Sequence, residues 1–199
     1  MNDRNDETRL VERILNEDAR AFALLVNDYR RLVLHIVGNR VHHSEELEDL
    51  CQEIFLKVYT HLKGFRHQSR LSTWIGRIAY YHTLNFCRQQ SKEKRTQVLE
   101  DETEADPDLG SLLIPSRPAP DQEAELQETR QILQRAIDKL PEKYRLIIKL
   151  FHWDNLSYQE IGHILDLPEG TIKSHLFRSR NLLKDLLVKE YKTEELWSL

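Results

Sequence analysis

Between Leu156 and Leu187 the chain reads LSYQEIGHILDLPEGTIKSHLFRSRNLLKDLL, and its second half sets out Lys173, His175, Arg178, Arg180 and Lys184 with no acid before Asp185. Such a run does non-covalent chemistry: cations on a helix that enters a major groove neutralise phosphates and donate to guanine edges. Ser174 adds a short hydrogen-bonding group, and Phe177 an apolar group able to meet a thymine methyl. A solvated basic helix face has the same composition, so the surrounding elements must decide between the two.

Those elements are readable. Ser157 stands where it can cap a short helix, and Glu160 three residues later completes a capping box. Ile161, Ile164 and Leu165 give that helix an apolar face. Pro168, Glu169 and Gly170 suggest a tight turn, with Gly170 free to adopt the angles of the bend. Thr171 is placed to cap a second helix whose buried face is Ile172, Leu176, Leu183, Leu186 and Leu187. Helix, short turn and helix at this spacing form a helix-turn-helix. Together with the basic face, it makes Thr171, Lys173, Ser174, His175, Phe177, Arg178 and Arg180 the expected contacts to duplex DNA.

Covalent catalysis finds no support. His42, His43 and Cys51 are conceivable metal ligands, but adjacent histidines point to different helical faces. There is no HExxH, glycine-rich phosphate loop or nucleophile elbow, so neither metal nor cofactor is expected. Cys51 and Cys87 lie far apart, which fits a reduced, cytoplasmic protein better than a disulfide scaffold. The N-terminal MNDRNDETRL has no apolar core of a signal peptide, and no apolar run approaches bilayer length. The expectation is a soluble protein with no membrane insertion.

The rest of the 199 residues must position these groups. Charge is uneven: residues 1–96 carry +3, residues 97–128 carry −9 and residues 129–199 carry +2. Four of the six prolines, Pro107, Pro115, Pro118 and Pro120, fall in or beside the stretch from Glu93 to Asp121. Acid repulsion and missing backbone donors oppose a packed core there, so it reads as a flexible acidic linker. On either side the apolar spacing is helical. Phe22, Leu25, Val26, Tyr29, Leu32, Val33 and Ile36 form one stripe, and Leu47, Leu50, Cys51, Ile54, Phe55, Val58 and Leu62 a second. Trp74, Ile75, Ile78, Ala79, Leu84 and Phe86 mark a third helix, with Ser72 or Thr73 at its start as a cap. Leu126 to Leu140 is a fourth periodic stretch, closed by Pro141. The expected architecture is all-α: two small helical domains, residues 1–95 and 126–199, joined by a flexible acidic linker, residues 96–125, with the helix-turn-helix in the second domain.

At this point two blocks stop looking generic. LSYQEIGHILDLPEGTIKSHLFRSRNLL, with its lead-in LPEKYRLIIKLFHWDN, resembles the part of extracytoplasmic-function sigma factors that reads the −35 promoter element. DLCQEIFLKVYTHLKGF followed by RLSTWIGRIAYYHTLNFCR resembles the other domain of that family. The likeness covers about residues 20–92 and 128–188, in family order and with the family's gap.

The resemblance implies roles. Asp49, Gln52 and Glu53 correspond to the helix that docks on the clamp of the largest subunit of core RNA polymerase. An acidic surface of Glu45, Glu46, Glu48, Asp49 and Glu53 suits a basic partner. The loop Phe65, Arg66, His67, Gln68, Ser69, Arg70 and Leu71, with Trp74, Tyr80, Tyr81, Asn85 and Arg88 on the next helix, corresponds to the surface that holds the melted −10 strand. Trapping unstacked bases needs a shaped pocket or aromatic faces, although Trp74 at helical spacing is equally a core residue. Leu146, Ile147, Leu150 and Phe151 resemble the surface for the flap of the second-largest subunit, and each could instead be internal packing. Tyr81 stands where the family usually has asparagine, Leu71 where an aromatic is common, and His175 where arginine is frequent; these departures bear on base preference. In this family the connector can run through the polymerase channels, and an anti-sigma protein is a common partner. Two other readings remain: a stand-alone helix-turn-helix regulator that binds its operator without polymerase, and a protein that copies a sigma surface.

Overall fold

A computed structural model of the chain describes residues 4–97 and 120–190. All regular structure among them is helical: α1 (Arg4–Leu15), α2 (Ala19–Val37), α3 (Ser44–His61), a 3-10 turn (Leu62–Gly64), α4 (Leu71–Gln97), α5 (Pro120–Asp138), α6 (Glu142–His152), α7 (Tyr158–Leu165) and α8 (Glu169–Glu190). The expected linker falls largely on residues 98–119 and the tail on residues 191–199, outside the described residues. α5 begins at Pro120, inside the segment read as linker. The fixed φ and missing N–H of proline suit a first helical position.

The apolar stripes become the core. Leu25, Tyr29, Leu32, Val33 and Ile36 of α2 are buried against Leu47, Leu50, Ile54 and Val58 of α3 and Ile75 and Ala79 of α4. Burial pushes the Cys51 thiol up to about 12, which suppresses its thiolate at neutral pH. Sequence periodicity did not single out α1, whose turn into α2 is closed by Asp18. The Asp18 carboxylate accepts from the amides of Arg20 and Ala21 at 3.0 and 3.1 Å, and from Arg13 Nη2 at 2.8 Å.

The start of α4 differs from expectation. Neither Ser72 nor Thr73 caps it, because the helix already begins at Leu71 and both lie inside its first turn. The Leu71 amide instead donates to the carboxylate of Glu7 in α1, at 3.2 Å.

The two halves lie against each other, α7 on α4 and α6 on α2, within one continuous apolar cluster. Gly76 of α4 makes room for Ile164 of α7: a Cβ there would stand 2.8 Å from the isoleucine Cδ1. A polar seam runs alongside. His35 Nδ1 donates to Asp154 Oδ2 at 2.7 Å, both side chains at most 5% exposed, while Arg31 Nη2 donates to the Trp153 carbonyl at 2.6 Å. Arg145 donates to the Asn39 side-chain and backbone oxygens at 2.9 and 2.8 Å.

Candidate nucleic-acid interface

The helix-turn-helix is assembled by local rules. Ser157 Oγ accepts from the Glu160 amide at 3.2 Å, and Glu160 Oε2 accepts from the Ser157 amide at 2.8 Å, completing the expected capping box. The bend is made elsewhere than expected. Asp166 takes the left-handed conformation, φ 57° and ψ 48°, and no described glycine has positive φ. A short polar side chain tolerates that region, which explains aspartate there. Gly170 lies in the first turn of α8 with no positive φ and nothing within 4 Å of where a Cβ would stand, so its freedom is not used. Gly162 is the glycine the motif requires, since a Cβ there would meet the Leu167 carbonyl oxygen at 2.7 Å. Thr171 is not the cap of α8 either, because that helix starts two residues earlier at Glu169.

On α8, Lys173, Ser174, Phe177 and Arg178 are exposed together, one turn apart on one face, and Phe177 is 66% exposed. Lys173 Nζ pairs with Glu169 at 2.6 Å and lies 5.5 Å from the Tyr158 ring centre. His175 turns away from this face. It is half-buried with its ring edge on Tyr144, 5.5 Å between centres. Burial, followed by the nearby Lys143 and Arg178 charges, lowers its pKa and favours neutral imidazole. The expectation of a cation at His175 is therefore corrected. Arg180 lies over the Phe151 ring at 5.4 Å and against His152 Nε2 at 3.3 Å, which tethers it to α6.

In the N-terminal half the loop before α4 is anchored by Phe65, which is buried and packs its ring 4.6 Å from His67 and 5.2 Å from Trp74. His67 adopts φ 54°, so a strained backbone presents this loop. Arg66, His67, Gln68 and Arg70 are exposed and Ser69 half-buried. Leu71 is fully buried and Phe65 nearly so, and both pack into the core beneath the loop. Along α4, Trp74, Tyr81, Asn85 and Arg88 share a face, while half-buried Tyr80 packs its ring 5.8 Å from that of Tyr81. Arg77 belongs to the same face and was missed. Its guanidinium lies 5.4 Å from the Tyr81 ring centre, and its spacing from Trp74 and Tyr81 was the available signal. Arg70 Nη1 lies 3.5 Å from Glu160 of α7, and Arg77 donates to the His163 carbonyl at 3.1 Å, so the two candidate DNA surfaces meet.

The acidic surface of α3 is also present: Glu48, Asp49, Gln52 and Glu53 are exposed. Beside it Leu56 is 63% exposed at the edge of an apolar groove of about 470 Å³ between α2 and α3, floored by Val26, Cys51 and Phe55. His82 Nε2 of α4 donates to Glu53 at 2.9 Å and ties that surface to the helix behind it. On α6, Leu146, Ile147 and Leu150 are buried, and only Phe151 is partly exposed, stacked on Tyr158 at 5.1 Å. The first three therefore pack inside the molecule in this arrangement, because α6 lies between α8 and α2.

Comparison with known proteins agrees in both halves. The family models "Sigma-70 region 2" and "Sigma-70, region 4" match residues 25–93 and 130–183. The ECF RNA polymerase sigma-E factor of Escherichia coli (strain K12) is 36% identical over 174 residues, which is 87% of this chain and 90% of that protein. Its counterpart from Haemophilus influenzae is 32% identical over 176 residues, 88% of this chain and 92% of the relative. Two solved structures share the fold. CnrH in complex with the cytosolic domain of CnrY has a TM-score of 0.57 and 18% identity, covering 89% of this chain and 94% of that one. The sigma factor RpoE in complex with the anti-sigma factor NepR, from Bartonella quintana, has a TM-score of 0.57 and 21% identity, covering 82% and 96%.

Proposed function

Since the chain belongs to the extracytoplasmic-function sigma factors of the sigma-70 family, non-enzymatic subunits that serve transcription initiation, we propose how its residues divide that work. The helices α1–α4 dock on core RNA polymerase and hold the melted −10 strand, and α5–α8 read the −35 duplex. The chemistry of RNA synthesis belongs to polymerase. The observation that carries this reading is the exposed quartet Lys173, Ser174, Phe177 and Arg178 on a helix set by a capped turn, where cationic, hydrogen-bonding and apolar groups face outward together. The exposed loop from Arg66 to Arg70, leading into Trp74, Arg77, Tyr81 and Asn85, offers cations and aromatic faces for unstacked bases.

Asp49, Gln52 and Glu53, with exposed Leu56 beside them, present an acidic and apolar surface to a basic partner, which we assign to the polymerase clamp. Of the flap candidates only Phe151 is reachable without rearranging α6. An anti-sigma protein is a further proposed partner, on the likeness to a Bartonella quintana sigma factor that is bound by one. No described helix is long and apolar enough to cross a membrane, and the cytoplasm, where promoters are, is the proposed site of action.

The test is in vitro transcription on fragments of the source genome, with core polymerase alone and with this protein. Initiation that depends on the protein, at sites sharing two short elements, is the expected result. Operator binding by the protein alone, with no initiation, would favour the stand-alone regulator. Two substitutions refine the assignment. Lys173→Ala with Arg178→Ala is expected to flatten the salt dependence of −35 duplex binding by about one unit of log–log slope per lost phosphate contact; an unchanged slope removes them from the interface. Asp49→Ala with Glu53→Ala is expected to weaken core polymerase binding about tenfold, as loss of two charges at a complementary interface does, and wild-type affinity would return α3 to solvent.

A further inference from the structure

The loop that precedes α4 is bordered by the 3-10 turn at Leu62–Gly64 and by the first turn of α4 at Leu71. α1 touches both borders. It packs against the 3-10 turn, and the Glu7 carboxylate accepts from the Leu71 amide at 3.2 Å across 64 residues of sequence. Glu7 is only 7% exposed, an unusual position for a glutamate, and Leu71 is fully buried.

The physical need is clear at the α4 terminus. The first turn of a helix carries amides without intrahelical partners and a partial positive charge. The residue before Leu71 is Arg70, which cannot cap, and the first turn of α4 contains no acid. The hydroxyl of Thr73, buried in that turn, has no hydrogen-bond partner. A buried, unpaired amide at Leu71 would be costly, and Glu7 satisfies it with a charged acceptor. Tyr29 senses the same cluster: burial foremost, then the Glu7 and Asp28 charges, push its phenol well above the ordinary range, with Arg70 opposing. α1 is itself held on α2 by buried Val11 and Ile14 and by the Arg13–Asp18 pair at 2.8 Å. It also lies before residue 25, where the region 2 match begins.

We propose that α1 is a positioning element for promoter opening, in which Glu7 fixes the end of the strand-holding loop by capping α4. Glu7 touches no DNA; it acts through the geometry of Arg66 to Arg70 and the direction of Trp74. The proposal rests on the reading of that loop as the −10 strand surface.

The experiment uses the full chain with core polymerase on a promoter mapped by the transcription assay above. Three quantities are measured: core polymerase affinity, −35 duplex binding, and permanganate reactivity of unpaired thymines near −10. Glu7→Leu is expected to reduce open complexes about fivefold, the usual size of a lost helix cap, with the other two quantities unchanged. Glu7→Gln keeps an acceptor oxygen and should restore opening to within about twofold of wild type, since the hydrogen bond is retained. Equal losses of opening and polymerase affinity in the leucine variant would make Glu7 merely structural and overturn the proposal. The loop variant Arg66→Ala with His67→Ala separates the two levels. If it impairs opening while Glu7→Leu opens normally, the positioning role fails and the loop reading stands. If the loop variant opens normally, the loop reading itself fails and takes the proposal with it.

Discussion

Gly162→Ala destabilises the C-terminal helices by about 2 kcal/mol, the scale of overpacking at an unyielding site, although alanine for glycine inside a helix ordinarily stabilises by about 1 kcal/mol. The reversal comes from one contact. A Cβ at Gly162 stands 2.7 Å from the Leu167 carbonyl oxygen, and the chain there has little room to yield, because the Leu167 amide donates back to the Gly162 carbonyl at 3.0 Å and Asp166 holds the left-handed bend. Relief would move α8 relative to α7, so −35 duplex binding should fall with stability. Gly170→Ala is the matched control: nothing lies within 4 Å of its Cβ position, and a small gain is expected. Urea denaturation of the full chain, with amide exchange at Leu167 as the local probe, reads both. A gain at Gly162 equal to that at Gly170 would mean that the turn relaxes freely.

The second large effect is at the seam between the halves. Asp154→Ala removes the acceptor for His35 Nδ1 at 2.7 Å and for Arg31 Nε at 3.3 Å, and leaves an imidazole buried without its partner. A cost of about 2–3 kcal/mol is expected, mostly the unpaired His35, since Arg31 can return to water. Asp154→Asn retains an acceptor for His35 and should cost less than half as much. Scattering in solution should report a larger radius of gyration for the alanine variant, because the same pair helps hold α6 on α2. Full stability with an unchanged radius would show that this pair contributes nothing to the seam.

The legibility of the molecule follows the range of its interactions. The α2 and α3 stripes, the Ser157–Glu160 box and the quartet on α8 were readable because each depends on residues within one or two turns, where periodicity and capping act. The bend of the helix-turn-helix was misplaced. Proline and glycine at 168 and 170 looked like the turn, whereas Asp166 bends the chain and Gly162 admits it. His175 looked like another cation until α6 supplied Tyr144 and Lys143 around it.

What the sequence determined by itself is therefore the helical class, the acidic charge between two mildly basic blocks, the motif that faces DNA, and the family resemblance. Tertiary structure decided which candidates reach solvent. Phe65, Leu71, Leu146, Ile147 and Leu150 went to the core, Arg77 joined the exposed face of α4, and Glu7 came to cap a helix 64 residues away. Local patterns specify the face of a helix relative to its own axis, but which face meets water depends on partners that chain folding alone brings together.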